Sequence, residues 1–214
     1  MVLKRGIDWT WFGLKALAHL AALTPLAFLL QRALHDRLGT DPIAALTHHT
    51  GEWALRFLLL SLAMTPLRLI LKQSWPIRVR RLLGLYAFLY ASLHFSVYLF
   101  LDLGSYWQQI GADIIKRPFI TVGFTAWLLL LPLAITSNQW MMRKLKKNWL
   151  KLHKLVYAIA VLAVLHYWWL VKSDVREPLL YATILALLFA IRLKPRVHSW
   201  LAGRRLADHG KNSA

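Results

Sequence analysis

Residues 82–101 read LLGLYAFLYASLHFSVYLFL, twenty residues with no charge and one histidine. At about 1.5 Å per residue such a helix reaches ~30 Å, the hydrocarbon thickness of a bilayer. Its apolar character runs all the way round, so lipid is its solvent. In lipid the backbone must satisfy its own hydrogen bonds, which selects a helix. Five more blocks of this kind lie outward from it, at roughly 11–30, 53–71, 119–135, 152–171 and 178–193. Hydrophobic residues make up 58% of the 214-residue chain, against about 45–50% in a soluble domain. The expected fold class is therefore all-α, a polytopic membrane protein with six transmembrane helices. One transmembrane domain is expected over 1–195, with a basic tail over 196–214. No sequence repeat, low-complexity run or second domain stands out.

The formal charge is +18, from 27 Lys+Arg against 9 Asp+Glu. Nucleic acid is a poor explanation, because the basic residues alternate with the spans. Lys4 and Arg5 precede the first block. Lys72, Arg78, Arg80 and Arg81 follow the second, and Arg143, Lys144, Lys146, Lys147 and Lys151 follow the fourth. The tail carries Arg192, Lys194, Arg196, Arg204, Arg205 and Lys211. The other three connections mix signs. The positive-inside rule then places both termini in the cytoplasm, as expected of a multi-pass inner-membrane protein. The first block has no small-residue cleavage site after it and reads as a retained helix.

There is no cysteine. That excludes iron–sulfur clusters, disulfides and covalently attached c-type haem. Histidine is left as the principal ligand for a transition metal. Histidines inside a membrane are costly and usually functional. His94 lies about 12 residues into the third span, roughly 18 Å. His166 lies about 14 residues into the fifth, roughly 21 Å. Both helices run in the same direction, so the two imidazoles reach nearly the same depth, in the outer half of the membrane. A b-type haem held between helices needs such a pair. A lone transmembrane histidine can simply bond a neighbouring helix; two at matched depth favour haem.

His153 lies 13 residues before His166, about 20 Å nearer the cytoplasm. It is a candidate ligand for a second haem, but the matching positions on the third span are Arg80 and Arg81, which do not ligate iron. One haem is thus expected rather than two, and His153 has alternatives in a propionate, a quinone carbonyl or the membrane interface. Candidate quinone or propionate contacts are His19, Trp53, Arg56 and Arg81. His48 and His49 are expected in an outer loop before the second span.

Several stretches together resemble the MsrQ (YedZ) family of the ferric-reductase-like transmembrane superfamily. They are DPIAALTHHTGEWAL (41–55), TPLR (65–68), RRLLGL (80–85), ASLH (91–94), RPFITVG (117–123), TSNQ (136–139), LHKLVY (152–157) and HYWW (166–169). The resemblance covers essentially the whole chain. It implies haem b, with His94, His153 and His166 at the family's ligand positions. It also implies FMN, for which the residues themselves give no sign. It further implies electron transfer from the quinone pool to a periplasmic molybdopterin enzyme, MsrP, that repairs methionine sulfoxide in oxidised periplasmic proteins. Sulfoxide reduction would then belong to that partner, with which this chain would form a heterodimer as the redox subunit of an oxidoreductase complex. The two-haem relatives have a histidine early in the third helix where this chain has arginine.

About 20 residues follow the sixth block, without a Gly-x-Gly-x-x-Gly fingerprint for a dinucleotide. Electrons would come from membrane quinol or from a separate cytosolic flavin reductase. A stand-alone ferric or cupric reductase is a second reading that shares the haem. A haem-free transporter or assembly factor is a third, and the spans lack the intramembrane acids that many ion-coupled transporters use.

Overall fold

A computed structural model describes residues 9–104, 106–171 and 174–192. Lys4, Arg5 and the basic tail at 196–214 lie outside these residues. Five helices among them are long and apolar enough to cross a membrane: Trp9–Leu34, Pro42–Leu71, Trp75–Asp102, Pro118–Ile135 and Lys147–Leu170. A further helix at 176–192 occupies the position of the sixth expected span.

In chain order, α1 is Trp9–Leu34, α2 is Pro42–Leu71 and α3 is Trp75–Val97, which continues as a π-helical turn over Tyr98–Asp102. The short α4 (Trp107–Lys116) leads into α5 (Pro118–Ile135). Two short helices, α6 (Gln139–Leu145) and α7 (Lys147–Leu152), precede α8 (Leu155–Leu170), and α9 covers 176–192. Prolines stand in the first turns of α2, α3 and α5, where a missing N–H costs nothing.

The second helix begins well before the expected residue 53, which corrects the placement of His48 and His49 in a loop. Asp41 caps it by accepting the Ala44 N–H at 2.9 Å, with Pro42 behind it in the first turn. The polar run that suggested a loop is satisfied within the helix. Thr47 donates to the Ile43 carbonyl at 2.8 Å and Thr50 to the Leu46 carbonyl at 2.7 Å.

The core is built from two helical hairpins, α2 with α3 and α5 with α8, packed face to face. Leu62, Tyr90, Ile159 and Ala160 are wholly buried in this core. On the outside, large apolar side chains such as Leu20, Phe28, Leu60, Leu128 and Leu187 stand exposed, as lipid-facing residues do.

α1 is fastened to this core at its internal proline. The buried Tyr90 hydroxyl donates to the Ala22 carbonyl at 2.8 Å and accepts the Leu26 N–H at 3.1 Å. It therefore occupies the place of the helix's own bond from Leu26 to Ala22. One turn along, the His49 imidazole donates to the Pro25 carbonyl at 3.0 Å.

Candidate functional site

A cavity of about 340 Å³ lies between the two hairpins, within the range of small-molecule and cofactor pockets. Its mouth is rimmed by the exposed His48, Asp102 and Arg117. Its closed end is apolar and buried, formed by Leu58, Ala87, Leu130 and Ile159.

His94 from α3 and His166 from α8 face each other across this cavity. Their ring centroids are 6.1 Å apart and their planes cross at 77°. The Nδ1–H of His94 donates to the Thr47 carbonyl at 2.9 Å, and that of His166 to the Phe119 carbonyl at 2.7 Å. A backbone carbonyl can only accept, so each bond fixes the proton on Nδ1 and leaves the Nε2 lone pair free for a metal.

The backbone of the facing helix makes room for each ring. A β-carbon at Gly51 would lie 3.0 Å from Nδ1 of His94, and one at Gly123 would lie 2.7 Å from Nδ1 of His166. These glycines let the imidazoles press against α2 and α5 closely enough to reach the carbonyls one turn earlier.

The donor set limits what the pair can hold. Among the described residues no group of three or more His, Cys, Asp or Glu could bind a metal ion. A metal between His94 and His166 must therefore take its remaining ligands from a non-protein group. Metal–imidazole bonds of about 2 Å each, with each ring centre set back by ~1 Å, call for centroids about 6 Å apart, as found here. A planar macrocycle whose metal His94 and His166 would hold fits the cavity's donors, spacing and apolar lining.

The other expected contacts sit elsewhere; none of His19, Trp53, Arg56 or Arg81 lines the cavity. His19 Nδ1 shares a hydrogen bond of 2.9 Å with the Tyr86 hydroxyl. Trp53 packs on Phe57 at 5.5 Å and lies 4.9 Å beneath the Arg56 guanidinium. Arg56 itself is bound to Glu52 at 2.7 Å and to the Tyr181 hydroxyl at 3.0 Å. Arg81 is exposed.

His153 also lies outside the cavity lining, at the turn between α7 and α8. It stacks on Trp149 at 3.9 Å and lies 3.5 Å from the Ser137 hydroxyl. Its partner ring Trp149 donates to the Thr136 carbonyl at 2.9 Å.

Sequence reading did not single out Gly51, Gly123, Thr47 or Phe119. A usable signal was present in the spacing. Each histidine bonds a carbonyl 47 residues earlier in the chain.

Residues 50–164 match the family described as ferric reductase like transmembrane component. Relatives named protein-methionine-sulfoxide reductase heme-binding subunit MsrQ include one from Xanthomonas euvesicatoria pv. vesicatoria (strain 85-10). It is 59% identical over 84% of this chain and 85% of its own length. The protein of that name from Xanthomonas campestris pv. campestris (strain 8004) is 58% identical over 91% of each chain. That from Herminiimonas arsenicoxydans is 47% identical over 84% of each. No solved structure matches significantly. With identity this high over nearly the whole length, and a cavity presenting two histidines, the chain belongs to the MsrQ family, on the ferric-reductase-like transmembrane fold.

Proposed function

We propose that this chain binds one b-type haem between His94 and His166 and relays electrons through it across the bacterial inner membrane. The observation that carries the reading is the facing imidazole pair with both Nδ1 protons committed to backbone carbonyls. His94 and His166 would hold the iron from both sides, and a haem held by two histidines would supply electron transfer rather than substrate binding. The protein supplies placement and electronic tuning, and the cofactor supplies the redox change.

In this reading electrons enter from membrane quinol or from a cytosolic flavin reductase. They leave to a periplasmic molybdopterin reductase of the MsrP kind, which reduces methionine sulfoxide in oxidised proteins. The relatives' name supports the link to methionine sulfoxide. FMN and the direction of transfer rest on the family resemblance, and the cytoplasmic termini rest on the distribution of basic residues. The cavity mouth, with His48, Asp102 and Arg117, would face the periplasm and the electron acceptor.

The test is a reduced-minus-oxidised spectrum of the purified protein with pyridine haemochrome quantification, followed by reduction with a quinol analogue and reoxidation by the periplasmic partner. A b-type spectrum near one haem per chain is expected. A protein expressed with ample haem that shows no haem absorbance would remove this reading in favour of a transporter or assembly factor.

A further inference from the structure

The two walls of the cavity are the same wall used twice. His94 and His166 are 72 positions apart, as are Gly51 and Gly123, and Thr47 and Phe119, whose carbonyls accept from the two imidazoles. The relation extends to the whole lining. Apart from Asp102 and Arg117, every residue that lines the cavity has a counterpart 72 positions away that also lines it. Ala54 with Ala126, Leu58 with Leu130 and Ala91 with Ala163 keep their identity.

The hairpins differ where they turn. The first runs unbroken to Leu71 and resumes at Trp75, whereas the second is interrupted into α6 and α7 over the corresponding stretch. Each hairpin thus presents one glycine helix and one histidine helix at the same register, and the two are related by an approximate twofold through the cavity.

A haem with two axial histidines has a matching near-symmetry. Turning it by half a revolution about the axis between its propionates exchanges its two faces and leaves the iron and propionates in place. Only the order of vinyl and methyl groups on the opposite edge changes. A pocket with twofold walls cannot tell the two settings apart except where the walls differ. At the buried closed end the clearest difference is Ala87 against Ile159, which are 1% and 0% exposed.

We infer that Ala87 and Ile159, the mismatched pair at the closed end of a cavity whose two walls repeat in register, are the positioning residues that set which way round the haem is seated. The inference rests on the haem reading above. A larger side chain on one wall favours the setting that turns the smaller haem substituent toward it. The seating in turn fixes which edge of the macrocycle each hairpin meets, and hence the contacts that tune its potential.

The experiment uses the full-length, haem-loaded protein in detergent. Proton NMR of the ferric form resolves the shifted haem methyl signals, and each seating gives its own set. Pyridine haemochrome is run on every sample, so loss of haem is separated from a change of seating. The exchange variant Ala87→Ile with Ile159→Ala keeps the total volume and is expected to invert the ratio of the two sets. The single variant Ile159→Ala is expected to draw the ratio toward one, by about fourfold or more for each methylene contact removed. A haem-loaded variant of either kind whose ratio equals that of the natural sequence overturns the inference while leaving the haem reading standing. A natural protein that binds no haem overturns both.

Discussion

A β-carbon at Gly123 would fall 2.7 Å from Nδ1 of His166, closer than real β-carbons come to any atom. His166 cannot simply swing away, because that same nitrogen donates to the Phe119 carbonyl at 2.7 Å. Gly123→Ala is therefore expected to displace the imidazole and lose much of the bound haem. Overpacking of this kind costs about 1–3 kcal/mol. At Gly51 the equivalent distance is 3.0 Å, so Gly51→Ala should be milder. Soret absorbance per mole of protein ranks the two. Equal retention in both variants and the natural protein would show that the glycines do not set the ring positions.

The three ligand-type histidines should separate cleanly. His94→Ala and His166→Ala each remove one of two opposed imidazoles in the cavity and are expected to abolish most haem binding. His153→Ala is expected to leave it largely intact, because His153 stacks on Trp149 outside the cavity lining. Haem retained at full occupancy in both of the first two variants would overturn the ligand assignment. A fall from two haems to one in the third would bring His153 in as a ligand.

Tyr90 offers a test of how α1 is held. Its hydroxyl is fully buried and sits between the Ala22 carbonyl and the Leu26 N–H. Tyr90→Phe leaves those two groups without their partner unless α1 closes its own bond. Loss of about 1–3 kcal/mol is expected if it does not close. Thermal unfolding in detergent measures the loss, and haem content should remain unchanged, since Tyr90 does not line the cavity. A variant as stable as the natural protein would mean that the helix re-forms its bond freely.

The spans and the two principal histidines could be read from the sequence because both signals are one-dimensional. Twenty uncharged residues at 82–101 mean a membrane helix whatever packs on it, and residue counts give His94 and His166 the same depth. The start of α2 was hidden because Thr47, His48, His49, Thr50 and Glu52 look like loop. Apart from the exposed His48, their polarity is absorbed by bonds to carbonyls one turn back, to α1 and to Arg56. The duplication of the hairpins was hidden for a different reason. Only scattered positions keep their identity, such as Gly51 with Gly123 and His94 with His166, while Thr47 and Phe119 contribute through backbone carbonyls that any residue supplies. A repeat conserved in backbone role leaves little trace in side-chain identity.

Arg56 distinguishes a structural role from a donor-binding one. Its guanidinium is 2.7 Å from the Glu52 carboxylate, donates to Tyr181 at 3.0 Å and lies over Trp53 at 4.9 Å. With those partners satisfied by the protein, it has no need of a quinone. Arg56→Leu strands Glu52 at the edge of the cavity, and about 1–2 kcal/mol of stability should be lost, allowing for the pair's partial exposure. The double variant with Glu52→Leu should recover part of that loss, because it removes the stranded charge. A double-mutant cycle by thermal unfolding measures the coupling. If instead stability is unchanged and the concentration of quinol analogue needed for half-maximal haem reduction rises, Arg56 belongs to the electron-donor site, and the closed network with Glu52 and Tyr181 is not its main purpose.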